Sequence, residues 1–156
     1  MIYPSNFEEC SKIWTTDLWP NSNLGNKPLS STKIEGNFDK KRAKETIKYY
    51  TYKIQDKIVG TMSGYVSTEN YYRQRGLWVH SDYRNMGLMK VLVDQISVPR
   101  ALEYECKYVW SIIRLSLLPI YKTAGFQQYS KPERGTPDPE IDKEYGLEQI
   151  LIIKPL

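Results

Sequence analysis

Cysteine, histidine and phenylalanine are scarce in this chain of 156 residues, which holds two Cys, one His and three Phe. Cys10 and Cys106 stand far apart and outside any CxxC spacing, so neither a disulfide framework nor a zinc or other metal site is expected. No apolar run approaches the roughly 20 residues of a membrane span. The start, Met1-Ile2-Tyr3-Pro4, lacks signal-peptide architecture. A cytoplasmic protein with reduced thiols and no membrane partner is therefore expected. Charge of one sign never accumulates either: 22 Lys and Arg against 18 Asp and Glu leave +4, and Lys40-Lys41-Arg42 stops at Ala43. A nucleic-acid surface would want a basic stripe with interleaved aromatics, so no nucleic-acid partner is expected. A mildly positive surface suits a small anionic ligand equally well. What is abundant is tyrosine, with 13 copies, in a chain that is 40% hydrophobic and 26% charged. Those proportions are those of a globular protein, and the length fits one domain over residues 1–156 with a real core.

Along the chain, Ser5 is the expected N-cap of a helix over Asn6–Trp14, with Glu8 completing a capping box. Trp19–Gly36 holds two Pro, two Gly, three Asn and three Ser and reads as a long loop. Asp39 caps a charged helix over Lys40–Lys48 whose cations read as a solvated face. From Tyr49 the period changes to two. Tyr50, Tyr52 and Ile54 alternate with polar residues, and strands are expected there, over Ile58–Val66 (with Gly60 and Gly64 as possible bulge sites) and over Tyr71–His80. A helix pattern follows Gly87 and is expected to kink or divide at Pro99. Lys107–Ile113 is a continuous apolar run, as suits a buried parallel strand. A short helix over Ser116–Thr123 ends at Gly125. Phe126–Tyr129 and Leu147–Ile153 are the last expected strands, separated by a Pro-, Gly- and charge-rich loop over Lys131–Gly146. The order predicts a mixed α/β layer domain with a right-handed β-α-β crossover at Leu77–Ile113.

The segment Leu77-Trp78-Val79-His80-Ser81-Asp82-Tyr83-Arg84-Asn85-Met86-Gly87-Leu88-Met89 runs a strand into an Arg-x-x-Gly turn and then a helix. Unpaired N–H groups at a helix start, with the positive end of its dipole, suit a phosphate.

Two motifs in register then resemble the GNAT acetyltransferase superfamily over about Tyr49 to Ile153. The first is Leu77-x-Val79 followed by Arg84-Asn85-Met86-Gly87-Leu88-Met89, similar to the family's L-x-V strand and [RQ]-x-x-G-x-[GA] turn. The second is Tyr121-Lys122-Thr123-Ala124-Gly125-Phe126, similar to its Y-x-x-x-G-F helix end. The resemblance implies an acyl-CoA N-acyltransferase fold, an α+β mixed sheet that is mostly antiparallel, with a central parallel pair splayed around the cofactor. It implies acetyl-CoA as co-substrate, its pyrophosphate on the backbone of Arg84 to Met89 and its pantetheine arm on Leu77, Trp78 and Val79. The amide near Leu77 would polarise the thioester carbonyl, and Tyr121 would protonate the departing thiolate. A primary amine, on a small molecule or a peptide, would be acetylated by direct attack in a ternary complex. It would enter between Trp19–Gly36 and Lys131–Gly146.

Four departures from the family pattern set further expectations. Met89 stands where the family prefers Gly or Ala, so its side chain must point away from the diphosphate or crowd it. Ser81 replaces a frequent proline. Arg114 stands in place of an asparagine that contacts pantetheine and could reach the phosphates instead. Tyr71-Tyr72-Arg73-Gln74 lacks the glutamate many members use as a base, leaving a water chain or His80 to relay the proton. The alternative to catalysis is an acyl-CoA-binding or partner-binding module with the same fold. A monomer or a homodimer, the latter paired through a strand edge near the C-terminus, fits either.

Overall fold

The structure, a computed structural model, describes residues 1–20, 22–30, 34, 37–130 and 149–156. Its frame is one seven-stranded sheet in the order β1-β2-β3-β4-β5-β7-β6. The strands are β1 (Ile2–Ser5), β2 (Lys48–Ile54), β3 (Lys57–Thr68), β4 (Tyr71–Val79), β5 (Tyr108–Arg114), β6 (Gln127–Gln128) and β7 (Gln149–Pro155). Only β4 and β5 pair in parallel; every other neighbour is antiparallel. The mixed α/β architecture with a central parallel pair is thus the one expected. No helix among the described residues is long and apolar enough to cross a membrane.

Strand β1 was not among the expected elements, and its presence moves the first helix. Ser5 closes β1 and pairs with Tyr49, so the N-cap falls one residue later, on Asn6. The Asn6 side chain accepts the Glu9 N–H at 2.9 Å, while Ser5 Oγ donates to Glu9 Oε1 at 2.7 Å. Helix α1 spans Phe7–Ile13 and widens into a π-turn over Trp14–Leu18. Helix α2, Lys40–Thr46, starts as expected, with Asp39 Oδ1 accepting the Arg42 N–H at 3.0 Å. After the glycine turn, α3 (Leu88–Leu92), a π-turn (Val93–Ser97) and α4 (Val98–Glu103) follow without a break in helical backbone angles. Pro99 therefore changes the hydrogen-bonding pattern without ending the helix. It falls in the first turn of α4, where a missing N–H costs least. A 3-10 turn (Leu115–Leu117) leads into α5 (Leu118–Thr123). The expected start of the last strand at Leu147, like the loop Lys131–Gly146, lies outside the described residues.

Alternation along the strands gives the sheet two buried faces. Met62 and Val66 of β3, Val109 and Ile113 of β5 and Ile150 and Ile152 of β7 join α3 to α5 in one apolar core. The other face carries Thr61, Ser63 and Tyr65 of β3, Arg73 and Arg75 of β4 and Trp110 of β5. Trp14 of the first π-turn covers it, fully buried. Its indole N–H donates to the Gly76 carbonyl at 3.0 Å and reaches Thr61 Oγ1 at 3.1 Å, so this burial strands no donor.

Candidate active site

The central parallel pair is paired only where Tyr71–Arg73 meet Tyr108–Trp110. Beyond that point β4 and β5 diverge. The register on the other side of β4 supplies a cause. Arg75 pairs with Ser63 and Trp78 with Thr61, so Gly76 and Leu77 together oppose Met62 alone. Such a bulge bends its strand and breaks the ladder. Gly76 takes φ +68, which favours glycine.

Two neighbouring cavities lie in the gap. The larger, about 640 Å³, runs along the end of β4, the glycine turn and α5. The smaller, about 110 Å³, opens beside Trp19, Arg73, Arg75, Ser111 and Gln149. Leu18, Leu77, Arg114, Leu117 and Tyr121 line both, so the two spaces are neighbours that share a wall including Tyr121.

The glycine turn forms the far wall of the larger cavity. Gly87, at φ +78, is the N-cap of α3, and no side chain caps that helix. The first intrahelical bond runs from the Val91 N–H to the Gly87 carbonyl, 3.1 Å, which leaves the preceding helix amides without an intrahelical partner. A Cβ built on Gly87 would meet nothing within 4 Å. The turn therefore presents bare backbone N–H groups to open space, the arrangement a diphosphate fits. Arg84 ties this turn to the strand by donating from Nε to the Val79 carbonyl at 3.0 Å. Met89 packs half-buried against the apolar core and also lines the larger cavity.

Of the residues singled out in the sequence, Leu77, Trp78, Val79, Arg84, Asn85, Gly87, Leu88, Met89, Arg114 and Tyr121 all line the larger cavity. Met86 does not: it stands at the turn's apex, 65% exposed. His80 lines neither cavity. Its Nδ1 accepts the Asp82 N–H at 3.1 Å, and its ring packs edge-on between Trp78 and Tyr83. With Nδ1 capping the Ser81–Tyr83 turn, His80 stands outside the lining of both cavities. The relay expected of His80 does not follow from its position.

Tyr121 is placed differently. Its ring lies edge-on to Phe126, with centroids 5.6 Å apart. Its hydroxyl makes no hydrogen bond to any described residue, and burial pushes its pKa well above the usual tyrosine value. The group is a protonated, uncommitted donor at the shared wall. The end of α5 beneath it is held by the Lys154 ammonium, which donates to the Ala124 carbonyl at 2.7 Å.

Among the lining residues that were not foreseen are Leu18, Arg73, Arg75 and Gln149. The spacing of Arg73 and Arg75, two apart in a strand, signals one shared face. Nothing local shows that this face is buried. Arg75 donates to the Lys27 carbonyl at 2.7 Å and the Leu24 carbonyl at 2.9 Å, and its guanidinium stacks over Trp19 and Trp14 at 4.8 and 5.6 Å. Of the two segments expected to flank an acceptor, Trp19–Gly36 contributes Trp19, while Lys131–Gly146 lies outside the described residues.

The model of the acetyltransferase (GNAT) family matches residues 12–126. That range reaches further toward the N-terminus than the likeness read from about Tyr49, and it takes in the last two residues of α1 and the π-turn that follows. Among solved structures, the chain is similar to an IAA acetyltransferase from Bacillus cereus ATCC 14579, at 13% identity and TM-score 0.72 over 100% of this chain and 99% of that one. It is also similar to Ard1 from Thermoplasma volcanium, at 13% identity and TM-score 0.71 over 100% and 97%. A third is a Bacillus subtilis acetyltransferase in complex with CoA, at 13% identity and TM-score 0.69 over 99% and 97%. At such identities the likeness is one of fold. A search of curated proteins gives no match.

Proposed function

This chain belongs to the GNAT acetyltransferase family, and from that premise we propose that it transfers the acetyl group of acetyl-CoA to a primary amine by direct attack in a ternary complex. One observation carries the reading: a continuous cavity leads from the bare amides at Gly87, along the open edge of β4, to the unbonded hydroxyl of Tyr121.

Acetyl-CoA supplies the activated acetyl group; the chain supplies placement and charge. The amides after Gly87, with the positive end of the helix behind them, hold the diphosphate. The exposed edge of β4 at Leu77 offers backbone groups to the arm. Arg84, bonded to Val79, keeps the turn and the strand end in a fixed relation, so both ends of the cofactor are held at once. The Leu77 N–H stabilises charge on the thioester oxygen. Tyr121 donates its proton to the sulfur that leaves and takes one back from solvent to complete the cycle. The amine arrives through the smaller cavity, and its proton passes to water. Holding the two reactants in contact supplies much of the acceleration.

Acetyl-CoA at a hundredfold excess over its Kd stabilises the protein by about 2.7 kcal/mol, a Tm increase of roughly 5–10 °C at this length. A thiol-release assay across amines then identifies the acceptor. Absence of both binding heat and a Tm shift with saturating acetyl-CoA would remove this reading. The binding-only alternative draws on a separate observation. No carboxylate or imidazole among the described residues lines either cavity. Binding of acetyl-CoA with no transfer to any amine of a broad panel favours that alternative.

A further inference from the structure

We infer that Trp14 and Thr61 are positioning residues, which lock the Gly76–Leu77 peptide so that the Leu77 N–H faces the gap between β4 and β5. The inference rests on the acetyl-transfer reading above and adds what keeps its oxyanion donor in place.

The Gly76 carbonyl oxygen accepts two hydrogen bonds, from Trp14 Nε1–H at 3.0 Å and from Thr61 Oγ1–H at 2.9 Å. The indole N–H also reaches Thr61 Oγ1 at 3.1 Å, so the three groups close a triangle. Trp14 and Thr61 are both fully buried. A trans peptide is planar, with its C=O and N–H on opposite sides. Fixing the oxygen therefore fixes the hydrogen. Thr61 belongs to β3, and Trp14 lies on the sheet face that carries the Thr61 side chain. Both bonds draw the oxygen toward β3 and that face. The Leu77 N–H is aimed the other way, toward β5 and the space that Leu77, Ile113 and Tyr121 line.

This peptide needs such a lock. It sits in the two-residue bulge, where neither Gly76 nor Leu77 has a partner in the ladder register. Glycine imposes little steric barrier to a turn of the peptide plane. A turned peptide would present a carbonyl oxygen, and so a repulsive dipole, where negative charge develops. The triangle selects the donor before substrate arrives, which is the preorganised form of charge stabilisation. The same contact accounts for the glycine: a Cβ on Gly76 would lie 2.2 Å from Trp14 Cζ2. Neither Trp14 nor Thr61 lines a cavity, so both act through the peptide alone.

The test uses acetyl-CoA carrying a heavy carbon isotope at its carbonyl, bound to the full chain and read by isotope-edited infrared spectroscopy. The wild type is expected to shift the carbonyl band to lower wavenumber than in free acetyl-CoA. Thr61→Val, which removes the hydroxyl, and Trp14→Phe, which removes the indole N–H, move the band back toward the free value without loss of acetyl-CoA affinity. Thr61→Ser restores the wild-type band. A purely structural role would lower Tm and leave the band in place. A band unmoved in both Thr61→Val and Trp14→Phe overturns the inference. If Trp14→Phe does not fold, the Thr61→Val and Thr61→Ser pair decides alone. A wild type that binds no acetyl-CoA instead fails the underlying reading, and the inference falls with it.

Discussion

Two glycines in the cleft hold positive φ for different reasons, and substitution separates them. Gly76 carries the indole of Trp14 against its Cα, with two ring carbons 2.2 and 2.5 Å from a would-be Cβ. Gly76→Ala therefore adds an overpacking cost to backbone strain and is expected to lose about 3 kcal/mol in urea unfolding. Gly87 has the strain without the clash, since nothing lies within 4 Å of its would-be Cβ. Gly87→Ala is expected to cost only about 1 kcal/mol of stability. Its methyl group occupies the space in front of the turn amides, so calorimetry is expected to show acetyl-CoA binding weakened far beyond that cost. Equal losses of stability in the two variants would contradict the difference in packing. Tyr121 offers the third residue-scale contrast. Its hydroxyl has no hydrogen-bond partner among the described residues, so Tyr121→Phe is expected to leave Tm and acetyl-CoA affinity nearly unchanged. Removing the acid slows turnover about a hundredfold. An equally large loss of affinity, with turnover at saturation preserved, would deny Tyr121 the acid role.

Elements whose signal lies within a few neighbouring residues were legible in the sequence. The two-residue period of Tyr50, Tyr52 and Ile54 gave β2, the apolar run around Val109 gave β5, and the carboxylate of Asp39 gave the start of α2. The glycine turn and Tyr121 were readable for the same reason, as short motifs at element boundaries. Elements that exist only through distant partners were not. Strand β1 is four residues with a proline at Pro4; pairing with Tyr49–Tyr52 makes it a strand. Gly60 was read as a possible bulge site, and the register does slip beside it, where Tyr52 pairs with Gly60 but Lys53 with Ile58; the bulge at Gly76, whose carbonyl is held by Trp14 62 residues away, had no local sign. The π-turn after α1 shifts Leu18 and Trp19 into the cleft, and no periodicity announces one extra residue per turn. Arg75 reads as a polar strand residue until its partners are seen. It fastens the Leu24–Asn26 turn and Lys27 to β4 through two carbonyls, a bridge that lysine cannot span in the same geometry. Arg75→Lys is expected to lose about 2 kcal/mol and to speed amide exchange in residues 24–27 selectively. Uniform acceleration across the sheet would mean that Arg75 supports the whole core rather than this one turn.

At the scale of the whole molecule, every acidic hydrogen among the described residues whose pKa is displaced moves in the same direction. Burial lifts the thiols of Cys10 and Cys106 from an ordinary 9.0 to about 11. It lifts the Tyr49 hydroxyl from 10.0 to about 12, and raises Tyr50, Tyr72 and Tyr121 as well. In each case the folded state holds its proton to a higher pH than the unfolded chain does. Below pH 9 both states are protonated at these groups, and their contribution is fully present. Above it the unfolded chain binds fewer protons, so stability falls as pH rises. The thiols act between about pH 9 and 11, and tyrosine joins from pH 10. Tm is therefore expected to decline progressively from pH 9 upward. The thiols can be removed without touching the proposed site. Cys10 and Cys106 are both buried and line neither cavity. The double variant Cys10→Ala with Cys106→Ala starts from a lower Tm because it leaves two small voids. Its Tm is nevertheless expected to fall less steeply between pH 9 and 10 than that of the wild type. The slope, not the starting value, is the readout, since packing losses do not depend on pH. Parallel slopes for the two proteins would show that the buried thiols are not what couples folding to alkaline pH.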